Sequence, residues 1–387
     1  MNSRRLLTMT LVLTGILSLF AFYLSLRFSV WAYALGFSPV IAWVALFGCV
    51  FLQGFGYYLM SFFPIRQRLL SAITWFTQIL FGLFMCLLLF TIAADLLSVF
   101  LRFFLNNEQQ TKMEWITFTS VLSLTTLAGI GGLIQARVIG PRIYKIDIPL
   151  KNLSDEFDGF KIAQISDLHI GPTIGPRYVR SVVKKINLLI PDLVVLTGDI
   201  VDGPVEQLKQ DLLPLKELEA KHGRYLIMGN HEYYWNALAW LEEYRSIELS
   251  PLLNEHVVLR INQSELVLAG ITDYTAARML PSHTYDIKKA LHQAPAAAIK
   301  ILLSHQPAPY EQVASEGVHL QISGHTHGGQ FFPGNIIVKA AQKFLKGLYR
   351  YKDMWIYVSR GTGYWGPPLR FAVPSEITLL TLRKELS

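Results

Sequence analysis

Five short polar clusters punctuate residues 167–327 of this 387-residue chain, and each offers side chains that bind divalent metals. They are Asp167-Leu168-His169, Gly198-Asp199, Asn230-His231, His305, and His325-Thr326-His327. Carboxylate, amide and imidazole donors without a thiolate suit borderline ions such as Mn, Fe, Zn or Co, not a Cys-rich structural zinc site. The donors are too many for one tetrahedral ion and enough for two ions of higher coordination sharing a carboxylate. Paired divalent ions generate hydroxide from water and clamp the oxygens of an in-line displacement at phosphorus. The chemistry that such a set suits is therefore hydrolysis of a phosphoester.

Side chains so far apart in sequence need a scaffold that delivers them to one place. Each cluster follows a short apolar, β-rich run: Lys161–Ser166, Asp192–Thr197, Arg224–Met228, Lys300–Leu303 and His319–Ser323. A further run, Leu266–Ala269, precedes Gly270-Ile271-Thr272-Asp273, and Trp355–Ser359 and Ile377–Leu382 read as later strands. Helical patterns at Gly175–Leu189 and Val205–Lys221 separate some of them. Strands alternating with helices predict an α/β arrangement with buried strands. In open α/β sheets ligands bind beyond the carboxyl ends of the strands, where these clusters fall.

At this point the chain resembles the calcineurin-like metallophosphoesterases. Their motifs appear in order as Asp167-x-His169, Gly198-Asp199-x-x-Asp202-Gly203, Gly229-Asn230-His231-Glu232, Ser304-His305 and Gly324-His325-Thr326-His327. The resemblance runs from about residue 143 to the C-terminus. It is nearer to a bacterial subgroup with Gly-His-Thr-His-Gly-Gly-Gln (324–330) and Ser-Arg-Gly-Thr-Gly (359–363), whose members often carry N-terminal membrane segments. The resemblance implies a β-sandwich flanked by helices and two bound divalent ions. Asp167, His169 and His327 would hold the first ion, Asn230, His305 and His325 the second, and Asp199 both. A metal-bridging hydroxide would attack, and His231 would protonate the leaving oxygen. Asp202 reads as a residue that shapes the loop beside the site, and Glu232, Gln330 and Asp273 read equally as neighbours of the site or parts of turns. His222, His256, His283, His292 and His319 read as ordinary surface or core residues. Arg360 and Arg370 bracket a Gly/Pro-rich stretch and are candidate phosphate contacts, with a self-packed loop as the alternative.

The first 136 residues have a different texture. Apolar residues make up 52% of the chain and charged residues 16%, with the apolar excess concentrated here. Runs at Leu6–Phe28, Pro39–Phe62, Ala72–Phe100 and Trp115–Ile134 are each long enough to cross a bilayer. Trp31, Trp43, Trp75 and Trp115 lie near their ends, where indoles prefer the interface. No small-x-small cleavage pattern follows Phe28, so the first run reads as a retained span rather than a signal peptide. The predicted organisation is an all-α membrane domain of about four helices over 1–136 and an α/β hydrolase domain over 137–387. Arg4, Arg5, Arg66, Arg68, Arg137, Arg142 and Lys145 would lie on one side and Arg27, Arg102 and Lys112 on the other. That bias predicts a multi-pass inner-membrane protein with both termini and the second domain in the cytoplasm. No paired charges are evident in the spans, which argues against transport.

The net charge of +7 follows from the residues flanking the spans, and no dense Lys/Arg cluster or aromatic RNA-binding motif supports a nucleic-acid partner. Cys49 and Cys86 sit in apolar runs and read as small buried side chains. A site tethered to a bilayer suggests a lipid phosphodiester or pyrophosphate as substrate. The subgroup resemblance extends this to UDP-2,3-diacylglucosamine of lipid A synthesis. Two alternatives stand beside it: a phosphodiesterase of soluble nucleotides, and a non-catalytic scaffold.

Overall fold

A computed structural model describes residues 3–34, 36, 38–60 and 67–385. The chain divides into two compact units: residues 1–137 with Phe331–Gly334 and Gly366–Ala372, and the remainder from Val138.

The first unit is built on helices α1 (Ser3–Ala34), α2 (Val40–Met60), α3 (Gln67–Leu101) and α4 (Asn107–Ile134). None has an interior proline, so every backbone group inside the apolar stretch is satisfied along its own helix, as a bilayer demands. α4 starts at a reciprocal cap. Asn106 accepts the Gln109 N–H at 2.9 Å, and Gln109 accepts the Asn106 N–H at 3.0 Å. Among the described residues three stretches are long and apolar enough to cross a membrane, Thr10–Tyr33, Ser71–Phe104 and Asn107–Ile139, while α2 contributes the shorter Val40–Gln53. Residues 61 and 62, the end of the second predicted span, lie outside the described residues.

The helices do contain paired charges, which corrects the sequence expectation. Arg27 lies 2.9 Å from Asp95 and 3.1 Å from Glu114, and Arg102 lies 2.5 Å from Glu114. Tyr23 donates to Asp95 at 2.6 Å and the Trp31 indole to Glu114 at 2.9 Å. The partners come from α1, from the C-terminal end of α3 and the turn after it, and from α4, so no scan along one helix reveals the pairing.

Two segments from late in the chain pack with these helices. Leu369 is buried in a cluster with Trp31, Cys86, Phe90, Val121 and Ala128. The approach needs glycine on α4. A Cβ on Gly132 would stand 3.2 Å from the Phe371 nitrogen and 3.3 Å from that of Arg370. The Gly132 carbonyl accepts the Arg370 N–H at 3.1 Å.

The second unit holds two six-stranded sheets. Its strands are β1 (Arg142–Leu150), β2 (Lys161–Ile165), β3 (Leu193–Thr197), β4 (Arg224–Ile227), β5 (Ser250–Pro251), β6 (Glu255–Ile261), β7 (Ser264–Gly270), β8 (Ile299–Leu303), β9 (Leu320–Ser323), β10 (Gly347–Tyr351), β11 (Met354–Val358) and β12 (Glu376–Lys384). The sheet orders are β1-β12-β2-β3-β4-β5 and β10-β11-β9-β8-β7-β6. β2 to β5 run parallel, as do β7, β8, β9 and β11; β6 and β10 add antiparallel edges. One core lies between the sheets, with Ile162, Leu193, Val195 and Ile227 from the first meeting Leu266, Leu268, Ile301, Leu303 and Ile322 from the second. This is a sandwich. Helices α5 (Pro176–Asn187), α6 (Val205–Leu212), α7 (Asn230–Tyr234), α8 (Ala237–Ser246), α9 (Ile287–Ala290), α10 (Tyr310–Ser315) and α11 (Gly334–Ala341) fill the connections. The helix predicted over 205–221 is shorter. Pro214 cannot continue the α-helical ladder, and Leu213–Glu217 tightens to a 3₁₀ turn.

Candidate metal centre

Parallel strands place their carboxyl ends together within each sheet, and the eight donor-bearing residues follow β2, β3 and β4 of the first sheet and β8 and β9 of the second. Five of them, Asp167, His169, Asp199, His325 and His327, have φ between 51° and 72°. Non-glycine residues in this left-handed region cost about 1–3 kcal/mol each and persist only where the surroundings hold them. Here the holding is backbone to backbone. The Asp167 N–H donates to Gly198, the His169 N–H to Asp199 and the Gly363 N–H to Asp167, each at 3.0 Å. Both Asp167 carboxylate oxygens accept the His325 N–H, at 3.0 and 3.1 Å. Gly198, at φ 89°, leaves no room for a side chain, because a Cβ would stand 2.5 Å from the Gly229 nitrogen and 2.8 Å from His305 Nδ1.

The result is a tight, buried group of donors. His169 Nε2 lies 3.0 Å from His327 Nε2, which is 3.5 Å from Asp167 Oδ1. His305 Nε2 lies 3.2 Å from Asp199 Oδ2, 3.2 Å from Asn230 Oδ1 and 3.3 Å from His325 Nδ1. Asp199 Oδ2 is also 3.9 Å from His169 Nε2, so it faces both subsets. Donor atoms of Asp167, His169 and His327, and again of Asp199, His305 and His325, lie within 4.8 Å of one another. Two ligands about 2.1 Å from one cation stand roughly 3.0–3.4 Å apart, in octahedral or tetrahedral geometry. The His169–His327 spacing and the three spacings around His305 fall in that range, with His327–Asp167 just beyond it, so these residues fit a divalent cation in each subset.

A third grouping of His169, Asp199 and His231 is equally compact. His231 differs from the others because its Nδ1 lies 3.1 Å from Asp202 Oδ1, which also accepts the Trp235 indole N–H at 2.9 Å. Its Nε2 points inward, 3.9 Å from Asp199 Oδ2. In the metal-free protein burial works against the His231 imidazolium, yet Asp199 and Asp202 together raise its pKa to about 9. His305 is likewise held well above the usual histidine range by Asp199, in spite of its burial. His169 and His325 go the other way. Burial with neighbouring imidazoles lowers them to about 3 and about 4, so both are neutral donors at pH 7.

Glu232 is a loop lock. Its fully buried carboxylate accepts N–H bonds from Gly229, Asp199 and Ile200 at 2.8, 3.1 and 2.7 Å, and the Tyr244 hydroxyl at 3.0 Å. One side chain thereby joins the loops that carry Asp199 and Asn230. Asp273 closes a turn through Thr275 and binds Gln306 Nε2 at 3.1 Å. Gln330 exchanges two hydrogen bonds with the Trp365 backbone, at 2.8 and 2.9 Å.

The two arginines are placed differently from the donors. Arg360 stacks on Tyr144, 4.3 Å from the ring centroid, with its Nε 3.6 Å from Glu376. Arg370 is completely buried among the residues of the helical unit. Sequence reasoning passed over Tyr234 and Trp365, whose ring centroids lie 5.1 and 5.7 Å from that of His231. Tyr234 could have been found as the residue three beyond His231 on a short helix; nothing local in the sequence marks Trp365.

Residues 160–329 match the family model described as calcineurin-like phosphoesterase. A metallophosphoesterase of Bacillus subtilis is 34% identical over 278 residues, covering 68% of this chain and 93% of that protein. This chain belongs to the calcineurin-like metallophosphoesterases. Among other family members, one from Campylobacter jejuni is 30% identical, with 77% of this chain and 78% of that protein covered. A Danio rerio transmembrane protein with metallophosphoesterase domain is 37% identical, with 68% of this chain and 62% of that protein covered. The chain thus spans under two thirds of the length of that metallophosphoesterase.

Proposed function

We propose that this metallophosphoesterase is a membrane-anchored hydrolase of a lipid-linked phosphodiester or pyrophosphate, of the kind represented by UDP-2,3-diacylglucosamine. The observation that carries the reading is the convergence of Asp167, His169, His327, Asp199, Asn230, His305 and His325 where strands of both sheets end, in a chain with membrane-length apolar helices. Residues 1–136 anchor the chain, and residues 137–387 carry the chemistry and face the cytoplasm, following the Lys/Arg bias of the short loops.

Asp167, His169 and His327 would hold one divalent ion, and Asn230, His305 and His325 a second, with Asp199 between them. Such a pair supplies Lewis acidity toward phosphoryl oxygens and makes water a nucleophile at neutral pH. The protein side supplies the proton. As water adds to phosphorus and the bond to the leaving oxygen breaks, that oxygen takes the electron pair and a proton from His231 Nε2. Asp202 holds the other ring nitrogen, fixing the orientation of the donor and favouring its charged form. Burial of every donor but His325, which is half-buried, keeps bulk water away and strengthens these charges.

The test is hydrolysis of UDP-2,3-diacylglucosamine and of bis-p-nitrophenyl phosphate, with and without mixed micelles. Preference for the lipid, with rate rising with micelle surface, is the expected outcome. Faster turnover of soluble diesters regardless of micelles would refute the lipid assignment.

A further inference from the structure

Two aromatic side chains that the proposed chemistry does not use pack against the proton donor, with ring centroids 5.1 and 5.7 Å from that of His231. Tyr234 is 53% and Trp365 55% exposed, while His231 is only 9% exposed. Single exposed aromatics are common on protein surfaces, but two against one buried imidazole are a localised arrangement. Neither is loosely placed. The Tyr234 hydroxyl accepts the Asn230 amide N–H at 3.2 Å, which ties the ring to a donor residue. Trp365 is pinned through its backbone by both ends of the Gln330 amide, at 2.8 and 2.9 Å. Rigid aromatic faces bind apolar surface at low entropic cost.

The direction of proton transfer says what those faces meet. His231 Nδ1 is bound to Asp202, so the oxygen that takes the proton must approach Nε2. The atoms attached to that oxygen then lie beside the two rings. We propose that Tyr234 and Trp365 form a wall that selects an apolar leaving group. Resting on the hydrolase reading above, this assigns apolar character to the alcohol or phosphate half that departs, whether the apolar surface is a ring or an alkyl chain. A compact polar leaving group gains nothing from the wall, whereas an apolar one covers both faces, a difference of about tenfold in binding.

The experiment uses the full-length, Mn²⁺-loaded protein in detergent. Binding of methyl-, phenyl- and hexylphosphonate is measured by calorimetry and by competition with bis-p-nitrophenyl phosphate. The expected result is that phenyl- or hexylphosphonate binds about tenfold tighter than methylphosphonate. That advantage should shrink several-fold in Trp365→Ala and Tyr234→Ala and return in Trp365→Phe, with metal content equal throughout. A phenyl preference identifies a ring as the departing group, and a hexyl preference an alkyl chain. Equal binding of all three by wild type, or an unchanged preference in both alanine variants, overturns the wall. Selective binding without turnover would sink the hydrolase reading and leave the wall standing; turnover without selectivity would do the reverse.

Discussion

At the residue scale the centre depends on side chains held where the backbone is unfavourable. His327 sits at φ 52°, so glycine there relieves strain that alanine does not. Metal-free His327→Gly should therefore be more stable than His327→Ala by about 1 kcal/mol, the reverse of the usual order within regular structure. Denaturant titration of the two variants checks this. The charge states make a second prediction. Asp199 favours the charged form of His305 in the metal-free protein, and that proton must leave for a metal to bind. Metal uptake should release protons, seen as buffer-dependent heats in calorimetry, and affinity should fall as pH falls because more protons must be displaced. The donor types were legible in the sequence because each stands just past a β-rich run. The roles of Asp202 and Glu232 were not, since they depend on which nitrogen and which loop each carboxylate reaches.

At the scale of elements, the parallel strands and their shared edge followed from apolar runs that each end in polar residues. The edge strands β1, β6 and β10 were harder to read, being half-exposed with mixed polarity. Loop geometry at the strand ends depends on Glu232, which joins three backbone N–H groups from two loops. Glu232→Gln keeps the shape but replaces one acceptor oxygen with a donor facing N–H groups. It should cost about 2 kcal/mol and lower metal affinity with every donor still present; thermal melts and metal titrations would show this. In the helical unit, Gly132→Leu should push Leu369 to Ala372 out of their seat on α4 and lower the melting temperature in detergent.

At the scale of the whole molecule, the division between an apolar helical half and a metal-donor half was plain from composition. The charged network of Arg27, Asp95, Glu114 and Arg102 was not, because it forms only when three helices assemble. Glu114→Ala leaves the Trp31 indole and Arg102 without this acceptor and Arg27 with Asp95 alone, and should cost about 3 kcal/mol, measured by unfolding in detergent. The central claim is that the convergent donors make a metal-dependent hydrolase with His231 as proton donor. The most direct test compares hydrolysis of bis-p-nitrophenyl phosphate by wild type, Asp199→Ala and His231→Ala, with bound metal measured for each. Wild type should show Mn²⁺-stimulated turnover that disappears together with metal binding in Asp199→Ala. In His231→Ala, turnover should fall about 10²- to 10⁴-fold with metal retained. A folded, metal-loaded wild type without turnover, or a His231→Ala variant as active as wild type, would contradict it.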